Sequence, residues 1–189
     1  MVARLVRDWT EAEFAPGDIE VLERLATEVM RERSLRFSDE HHPAFLHPLR
    51  TTTLLLETGL TEVVAHRGAL LFDTESAPQS PLPASTPDAL AELLRVPQER
   101  LLEELLVVDT WLRTIWLAER LDQIRHLHLW RGEDRTAAAL AMAEARELPL
   151  AQRQGGRLAR AWADWMDKAR RYRIVEKSQV RRIEGGTSI

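Results

Sequence analysis

Apolar residues recur every three or four positions along most of this chain, which is the pattern of amphipathic helices. The first clear stripe follows Pro16 and ends near Arg33, and it consists of Ile19, Leu22, Leu25, Ala26, Val29 and Met30. Pro at a first helical position and Gly just past the last one are typical of helix ends. Pro48 and Gly59 therefore predict a second helix between them.

The helical pattern continues through the rest of the chain. Thr61 predicts the cap of a third helix, which runs to the Phe72-Asp73 pair. From Pro97 to Trp130 the rhythm has no Gly or Pro inside it, so we expect one long helix or two helices with a soft joint. An Ala-rich helix from Asp134 to Leu148 and a last helix over 157–173 follow.

No run of alternating apolar and polar residues is long enough to predict a strand. The fold class that we predict is all-α, as a single helical bundle. We divide the chain into an N-terminal extension at 1–17, the helical domain at 18–173, and a polar, flexible tail at 174–189.

Composition narrows the chemistry further. The 189 residues include no cysteine, which excludes disulfides, thiolate zinc sites and a cysteine nucleophile. The formal net charge of −4 argues against nonspecific nucleic-acid binding. No apolar stretch is long enough for a membrane span or shaped like a signal peptide, so we expect a cytoplasmic protein without a membrane partner. A second copy of the same chain is a further candidate partner, in a homo-oligomer.

Histidines and carboxylates are the candidate site residues. The loop at 34–46 and the residue after it contain His41, His42 and His47, and loops between helices are common places for binding residues. Glu119, Asp122 and His126 share one helix face, because they are spaced at i, i+3 and i+7. For that face we expect a solvated polar stripe rather than a metal site.

Two blocks of sequence carry a resemblance to a known family. The segments "RFSDEHHPAFLHPLRTTTLLLETGLTEVVAHRGALLFDTES" and "WLAERLDQIRHLHLW" resemble HD-domain hydrolases of the RelA/SpoT type, especially the small stand-alone ppGpp hydrolases. With "EARELPLAQRQGG" included, the resemblance covers about residues 18–156. It implies an HD-domain-like bundle and a metal-dependent pyrophosphohydrolase acting on a guanine nucleotide.

The resemblance also implies a metal site, for which manganese is the first expectation. The positions that match its ligands are His47, Asp73 and Glu119, the last in place of an Asp. Phe72 stands where the family has a second His ligand. A phenyl ring has no lone pair to donate, so this position cannot coordinate a metal. We therefore expect no cofactor in the family's normal mode.

The catalytic carboxylates of the family are missing as well. Their positions are occupied by Ser76 and Ala77, neither of which can act as a carboxylate base. Glu75 lies next to them and is the remaining catalytic candidate. In the second block, Asp122 stands in place of a His, and Gln123 in place of an Asn that contacts nucleotide.

The resemblance keeps part of the family's nucleotide site. Arg36 matches an Arg that stacks on the guanine base, and Thr74, Arg120 and Arg125 match the family pattern. It therefore implies Arg36, Thr74 and Gln123 as nucleotide-binding residues, with a guanine nucleotide such as ppGpp as the partner.

Three hypotheses follow from these residues. The leading one is a degenerate HD-domain protein with lost or strongly reduced hydrolase activity that retains nucleotide binding. The second is an active phosphohydrolase with altered ligands, which recruits His41, His42 or His66. The third is a structural or regulatory helical module, with the basic stretch from Arg170 to Arg182 as its contact surface.

Overall fold

A computed structural model describes residues 1–34, 45–71, 88, 92, 96, 98–127 and 133–184. Its helices are α1 (Val2–Glu11), α2 (Pro16–Arg33), α3 (Leu46–Thr58), α4 (Val63–Leu71), α5 (Gln98–Val107), α6 (Thr110–Arg125), α7 (Glu133–Met142), a π-helical segment (Ala143–Glu147), α8 (Leu148–Gln154) and α9 (Gly156–Glu184). These ranges contain no strand, which confirms the predicted all-α class. Within the same ranges, no helix has both the length and the apolar character of a membrane span.

Two helix ends that were predicted from single residues, at Pro16 and Gly59, are confirmed. Three others differ, because α3 begins two residues before Pro48, α4 begins two residues after Thr61, and Asp134 lies inside α7. Helix α2 begins with Pro16 at its first position. Helix α3 ends at Gly59, whose φ of 82° lies in the left-handed region that glycine adopts without strain. The amide groups of Gly59 and Leu60 donate to the carbonyls of Leu56 and Leu55, so the last turn of α3 is satisfied locally.

The apolar run after Pro97 forms two helices, α5 and α6, with a break at Val108 and Asp109. Arg113 reaches back across this break from the first turn of α6. Its Nε donates to the carbonyl of Leu105 at 2.6 Å, and one terminal amino group donates to the carbonyl of Val108 at 3.0 Å. The guanidinium therefore satisfies carbonyls that the end of α5 leaves without helical partners.

The Ala-rich helix does not stop at Leu148. It passes through a π-helical segment, Ala143–Glu147, and continues as α8 to Gln154. Pro149 explains the irregularity, because proline has no amide proton and its ring clashes with the carbonyl four residues earlier. The π-helical segment ends two residues before Pro149 and accommodates that defect.

Helix α6 lies at the centre of the larger core cluster and packs against α3, α4 and α9. Ile115, Leu117, Leu121 and Ile124 are fully buried along it. The indole of Trp162 in α9 is also buried and donates to the carbonyl of Leu117 at 3.1 Å. This packing brings the polar positions of α6 against neighbouring helices, where they form the site described below.

The N-terminal segment belongs to the folded bundle. Leu5 and Trp9 of α1 are buried in a second core cluster with Phe14, Leu49 and Leu70. We assigned 1–17 to an extension separate from the helical domain, whereas α1 packs against α2 and α3 of that domain. Trp9 is fully buried although a charged residue precedes it, because α1 is amphipathic and only one of its faces meets the core.

The C-terminal helix is longer than expected. Helix α9 continues to Glu184, whereas a polar, flexible tail was predicted from 174 onward. The added segment contains no Gly or Pro and is rich in Arg, Glu, Lys and Gln, which are good helix formers. Residues 185–189 lie outside the described ranges.

Candidate functional site

The imidazole of His47 lies between two carboxylates. Helix α3 places His47 in its first turn, and the facing side of α6 supplies Glu119 and Asp122. The Nδ1 atom is 2.6 Å from Asp122 Oδ2, and the Nε2 atom is 3.1 Å from Glu119 Oε1. An ionised carboxylate only accepts hydrogen bonds, so both ring nitrogens must donate, and the ring is an imidazolium.

The electrostatics agree with this geometry. Burial opposes protonation of His47, but the hydrogen bonds that it donates to Asp122 and Glu119 outweigh this effect and raise the pKa of His47 to about 10. Burial also disfavours ionisation of Asp122. Its hydrogen bonds with His47 and Arg50 more than compensate, so the pKa of Asp122 is lowered. The two residues form an ion pair with complementary shifts.

Arg50 completes the pairing of Asp122. It lies one turn after His47 on α3, and its Nε donates to both oxygens of Asp122, at 2.9 and 3.0 Å. The carboxylate is almost fully buried, at 3% exposure, whereas about a fifth of the Arg50 side chain, 21%, is exposed. Asp122 therefore anchors two cationic side chains from one helix, and the cluster opens to the surface on the α3 side.

A second branch of hydrogen bonds leads away from Glu119. The amide nitrogen of Gln123 donates to Glu119, and the amide oxygen of Gln123 accepts from a terminal amino group of Arg120. The Nε of Arg120 donates to Glu147 Oε1 at 2.9 Å. Polar side chains of α3, α6 and the π-helical segment are thus joined in one network, which we call the His47 cluster: His47, Arg50, Glu119, Arg120, Asp122, Gln123 and Glu147.

Glu147 is a buried acid at the far end of the His47 cluster. Its residue exposure is only 2%, and within the described residues its Oε2 has no hydrogen-bond partner. Burial raises the pKa of Glu147, and the neighbouring guanidinium of Arg120 only partly offsets that effect. Sequence reasoning missed both Glu147 and Arg50, since neither matches a family motif. Glu147 follows two other charged residues, Glu144 and Arg146, so the sequence offered no signal that Glu147 is the buried one.

The interpretation of the α6 face as a solvated stripe was wrong. Glu119 and Asp122 are exposed by only 1% and 2%, because α3 packs directly over this face. His126 is the more exposed end of the stripe, and its Nδ1 lies 2.6 Å from the backbone carbonyl of Asp122. The i, i+3, i+7 spacing correctly predicted that the three residues share one face of the helix. It did not predict that α3 packs against that face.

His66 is a core histidine. Its Nδ1 accepts from the indole of Trp9 at 3.2 Å, and its Nε2 lies 2.8 Å from the carbonyl of Leu60. The ring of Phe14 packs edge-on against it with centroids 4.9 Å apart. Burial lowers the pKa of His66, against weaker opposing effects of Leu60 and Glu62. Both ring nitrogens are engaged, so His66 offers no lone pair to a metal in this arrangement.

The structure brings together three of the residues that the resemblance implied. His47 and Glu119 are in direct contact, and Gln123 contacts Glu119. Gln123 uses both ends of its amide inside the His47 cluster, so its nucleotide role stays a prediction. Arg120 and Arg125, which also match the family pattern, lie in α6. The remaining implied and candidate residues lie outside the described ranges, and they are Arg36, His41, His42, Phe72, Asp73, Thr74, Glu75, Ser76 and Ala77.

The described donors do not fit a metal centre. In the described part of the chain, no group of three or more His, Cys, Asp or Glu side chains is arranged to hold a metal ion. His47 and Glu119 are bonded to each other, and the second nitrogen of His47 is bonded to Asp122. Metal binding by His47 would require loss of a ring proton and of one of these hydrogen bonds. The charge that balances the two carboxylates comes from His47 and Arg50.

Comparison with known proteins identifies no relative, because no protein-family model, no curated protein and no solved structure matches this chain.

Proposed function

We propose that this chain is a degenerate HD-domain-like protein that binds a guanine nucleotide such as ppGpp and has lost efficient hydrolase activity. The observation that carries the proposal is the contact between His47 and Glu119. They are 72 residues apart in the sequence, and their nearest side-chain atoms are 3.1 Å apart. The resemblance to RelA/SpoT-type hydrolases requires that these two positions lie close together, along with Asp73, which is outside the described ranges.

Loss of activity is supported by how this site balances its charge. In the family, the positions of Glu119 and His47 face a divalent cation. Here Asp122, in place of a His, adds a second carboxylate that bonds to His47, and Arg50 adds a second cation. Both carboxylates beside His47 are paired with cationic side chains, and binding a metal there would disrupt these buried charge pairs at considerable cost.

The sequence supports the same conclusion at positions outside the described ranges. Phe72 cannot donate a lone pair, and Ser76 and Ala77 cannot serve as carboxylate bases. Loss of general acid–base assistance alone typically reduces a rate by about 10²–10⁴-fold. Nucleotide binding rests on Arg36, because guanidinium groups stack on bases and do not depend on the metal.

The test combines metal analysis with ligand titration. The metal content of the purified protein is measured by elemental analysis, and ppGpp and GTP are titrated by calorimetry with and without manganese. The variant is Arg36→Ala, and the matched control is Arg31→Ala, an exposed residue of α2. We expect no stoichiometric metal, and nucleotide binding that is lost in Arg36→Ala but kept in Arg31→Ala.

Two other results would overturn the proposal in different ways. Stoichiometric metal with hydrolysis of ppGpp would establish the active phosphohydrolase with altered ligands. Absence of both metal and nucleotide binding would leave a helical structural or regulatory module. For that module, the buried charge pairs of the His47 cluster serve only to hold α3, α6 and the π-helical segment together.

A further inference from the structure

The guanidinium of Arg50 is only partly used by the protein. Its Nε donates to both oxygens of Asp122, at 2.9 and 3.0 Å. Arginine has five N–H donors, so four remain on the two terminal amino groups. Within the described ranges, no residue accepts a hydrogen bond from those groups. With 21% of the side chain exposed, they are accessible from the α3 side of the cluster.

The orientation of Arg50 is set before any ligand arrives. Asp122 is nearly fully buried and also bonds to His47, which in turn bonds to Glu119. A guanidinium anchored on a buried and doubly held carboxylate has already lost much of its rotamer freedom on folding. Binding through its terminal groups therefore carries a smaller entropic cost than binding through a freely rotating surface arginine.

Other arginines of the fold are used differently. Arg113 donates through Nε and a terminal amino group to main-chain carbonyls at the end of α5. Arg120 donates to both Glu147 and Gln123 inside the cluster. Arg170 pairs with Glu144 and Asp167 on the surface. Arg50, in contrast, combines a buried anchor with outward terminal groups.

The terminal amino groups of Arg50 are suited to binding an oxyanion. The planar fork of a guanidinium matches two oxygens of a phosphate group, and such charge-assisted hydrogen bonds are among the strongest in proteins. The two carboxylates beside His47, Asp122 and Glu119, are balanced by His47 and Arg50, so they do not exclude an anion from the terminal amino groups.

We propose that Arg50 is a phosphate-binding residue, with its two terminal amino groups as donors and Asp122 as the anchor that orients them. This inference deepens the proposed function and rests on it in one respect, namely that the phosphate belongs to the bound guanine nucleotide. The proposed function assigns base recognition to Arg36, and this inference adds phosphate recognition by Arg50.

The experiment measures dissociation constants of ppGpp and of inorganic pyrophosphate by calorimetry. The proteins are the unaltered chain, Arg50→Gln, Arg50→Lys, Arg36→Ala and the control Arg31→Gln. Hydrogen bonds to charged groups contribute enough for about 10–100-fold in affinity. We expect Arg50→Gln to weaken both ligands by about tenfold or more. We expect Arg36→Ala to weaken ppGpp alone, and Arg31→Gln to change neither.

Arg50→Lys is included in case Arg50→Gln does not fold. Lysine keeps a positive charge beside Asp122 but lacks the planar fork, so we expect a folded protein with weakened binding of both ligands. Thermal unfolding of each variant identifies any that is not folded. If Arg50→Gln does not fold, the comparison of Arg50→Lys with the unaltered chain decides the question.

The outcomes separate this inference from the proposed function. Unchanged ppGpp affinity in folded Arg50 variants would overturn the inference and leave the proposed function intact. Binding of pyrophosphate that depends on Arg50, without binding of guanine nucleotides, would overturn the proposed function and support the phosphate site. Binding of neither ligand to the unaltered chain would overturn both.

Discussion

The Nδ1 atom of His47 lies 2.6 Å from Asp122 Oδ2, so a charged pair from two different helices sits within the packed bundle. Asp122 is almost completely buried, and its second cationic partner is Arg50. Buried charge pairs of this kind contribute little when complete, but they are costly to break by removing one member. The stability of this fold therefore depends more on Asp122 than on the exposed acidic residues of the protein.

Replacing Asp122 with Asn tests that dependence. The change removes the negative charge that pairs with Arg50 and with the Nδ1 of His47, so Arg50 loses its charged partner and only Glu119 still pairs with His47. We expect the free energy of unfolding to fall by about 3 kcal/mol, measured by urea denaturation. Asp164→Asn is the matched control, because Asp164 is exposed on α9, and its effect should be within about 0.5 kcal/mol. Equal losses in the two variants would contradict a buried charge pair.

The hydrogen bond from Trp9 to His66 can be tested by Trp9→Phe. Phenylalanine keeps an aromatic ring but has no N–H, so the Nδ1 of His66 loses its donor inside the core. An unsatisfied buried polar atom costs about 1–3 kcal/mol, and we expect a loss of unfolding free energy in that range. Trp165→Phe is the control, since Trp165 is a partly buried tryptophan packed against the other core cluster. A smaller loss in Trp9→Phe than in the control would show that the bond is not formed.

The same bond predicts a dependence of stability on pH. Protonated His66 could not accept from Trp9, and burial lowers its pKa below the unfolded value of 6.5. The unfolded chain then binds more protons than the native state at acidic pH, so stability is complete above about pH 6.5 and falls as the pH decreases below it.

His66→Gln isolates this contribution. Glutamine can both donate and accept hydrogen bonds, but it does not titrate. We expect the loss of unfolding free energy between about pH 7.5 and about pH 5 to be smaller in His66→Gln than in the unaltered chain. Identical losses would mean that His66 does not contribute to the acid sensitivity.

Phe72→His tests the interpretation of the missing metal ligand. The substitution supplies an imidazole, but Ser76 and Ala77 still provide no carboxylate base. We therefore expect no measurable hydrolysis of ppGpp with manganese present, assayed by release of pyrophosphate. The combination of Phe72→His with Ser76→Glu and Ala77→Asp should be more active than the single change. Rapid hydrolysis by Phe72→His alone would show that the second defect matters little.

The sequence by itself determined the all-α class, most of the helices after Pro16 and some of their ends, but it did not predict α1. These follow from local rules, in which apolar residues repeat with the helical period and single residues such as Pro16 and Gly59 end or begin a helix. The resemblance to a family also indicated that His47 and Glu119 lie close together. The local rules were less accurate near Pro149, where the chain continues through a π-helical segment, and after residue 173, where helix propensity extends α9.

Only the tertiary structure decided which polar residues are buried and what they bind. Glu119 and Asp122 have the spacing of an ordinary solvated helix face, and only the packing of α3 against α6 turns that face inward. Arg50 and Glu147 match no motif, and their partners are 72 and 27 residues away. A hydrogen bond between helices depends on how the helices pack, and helical periodicity contains no information about the opposing surface.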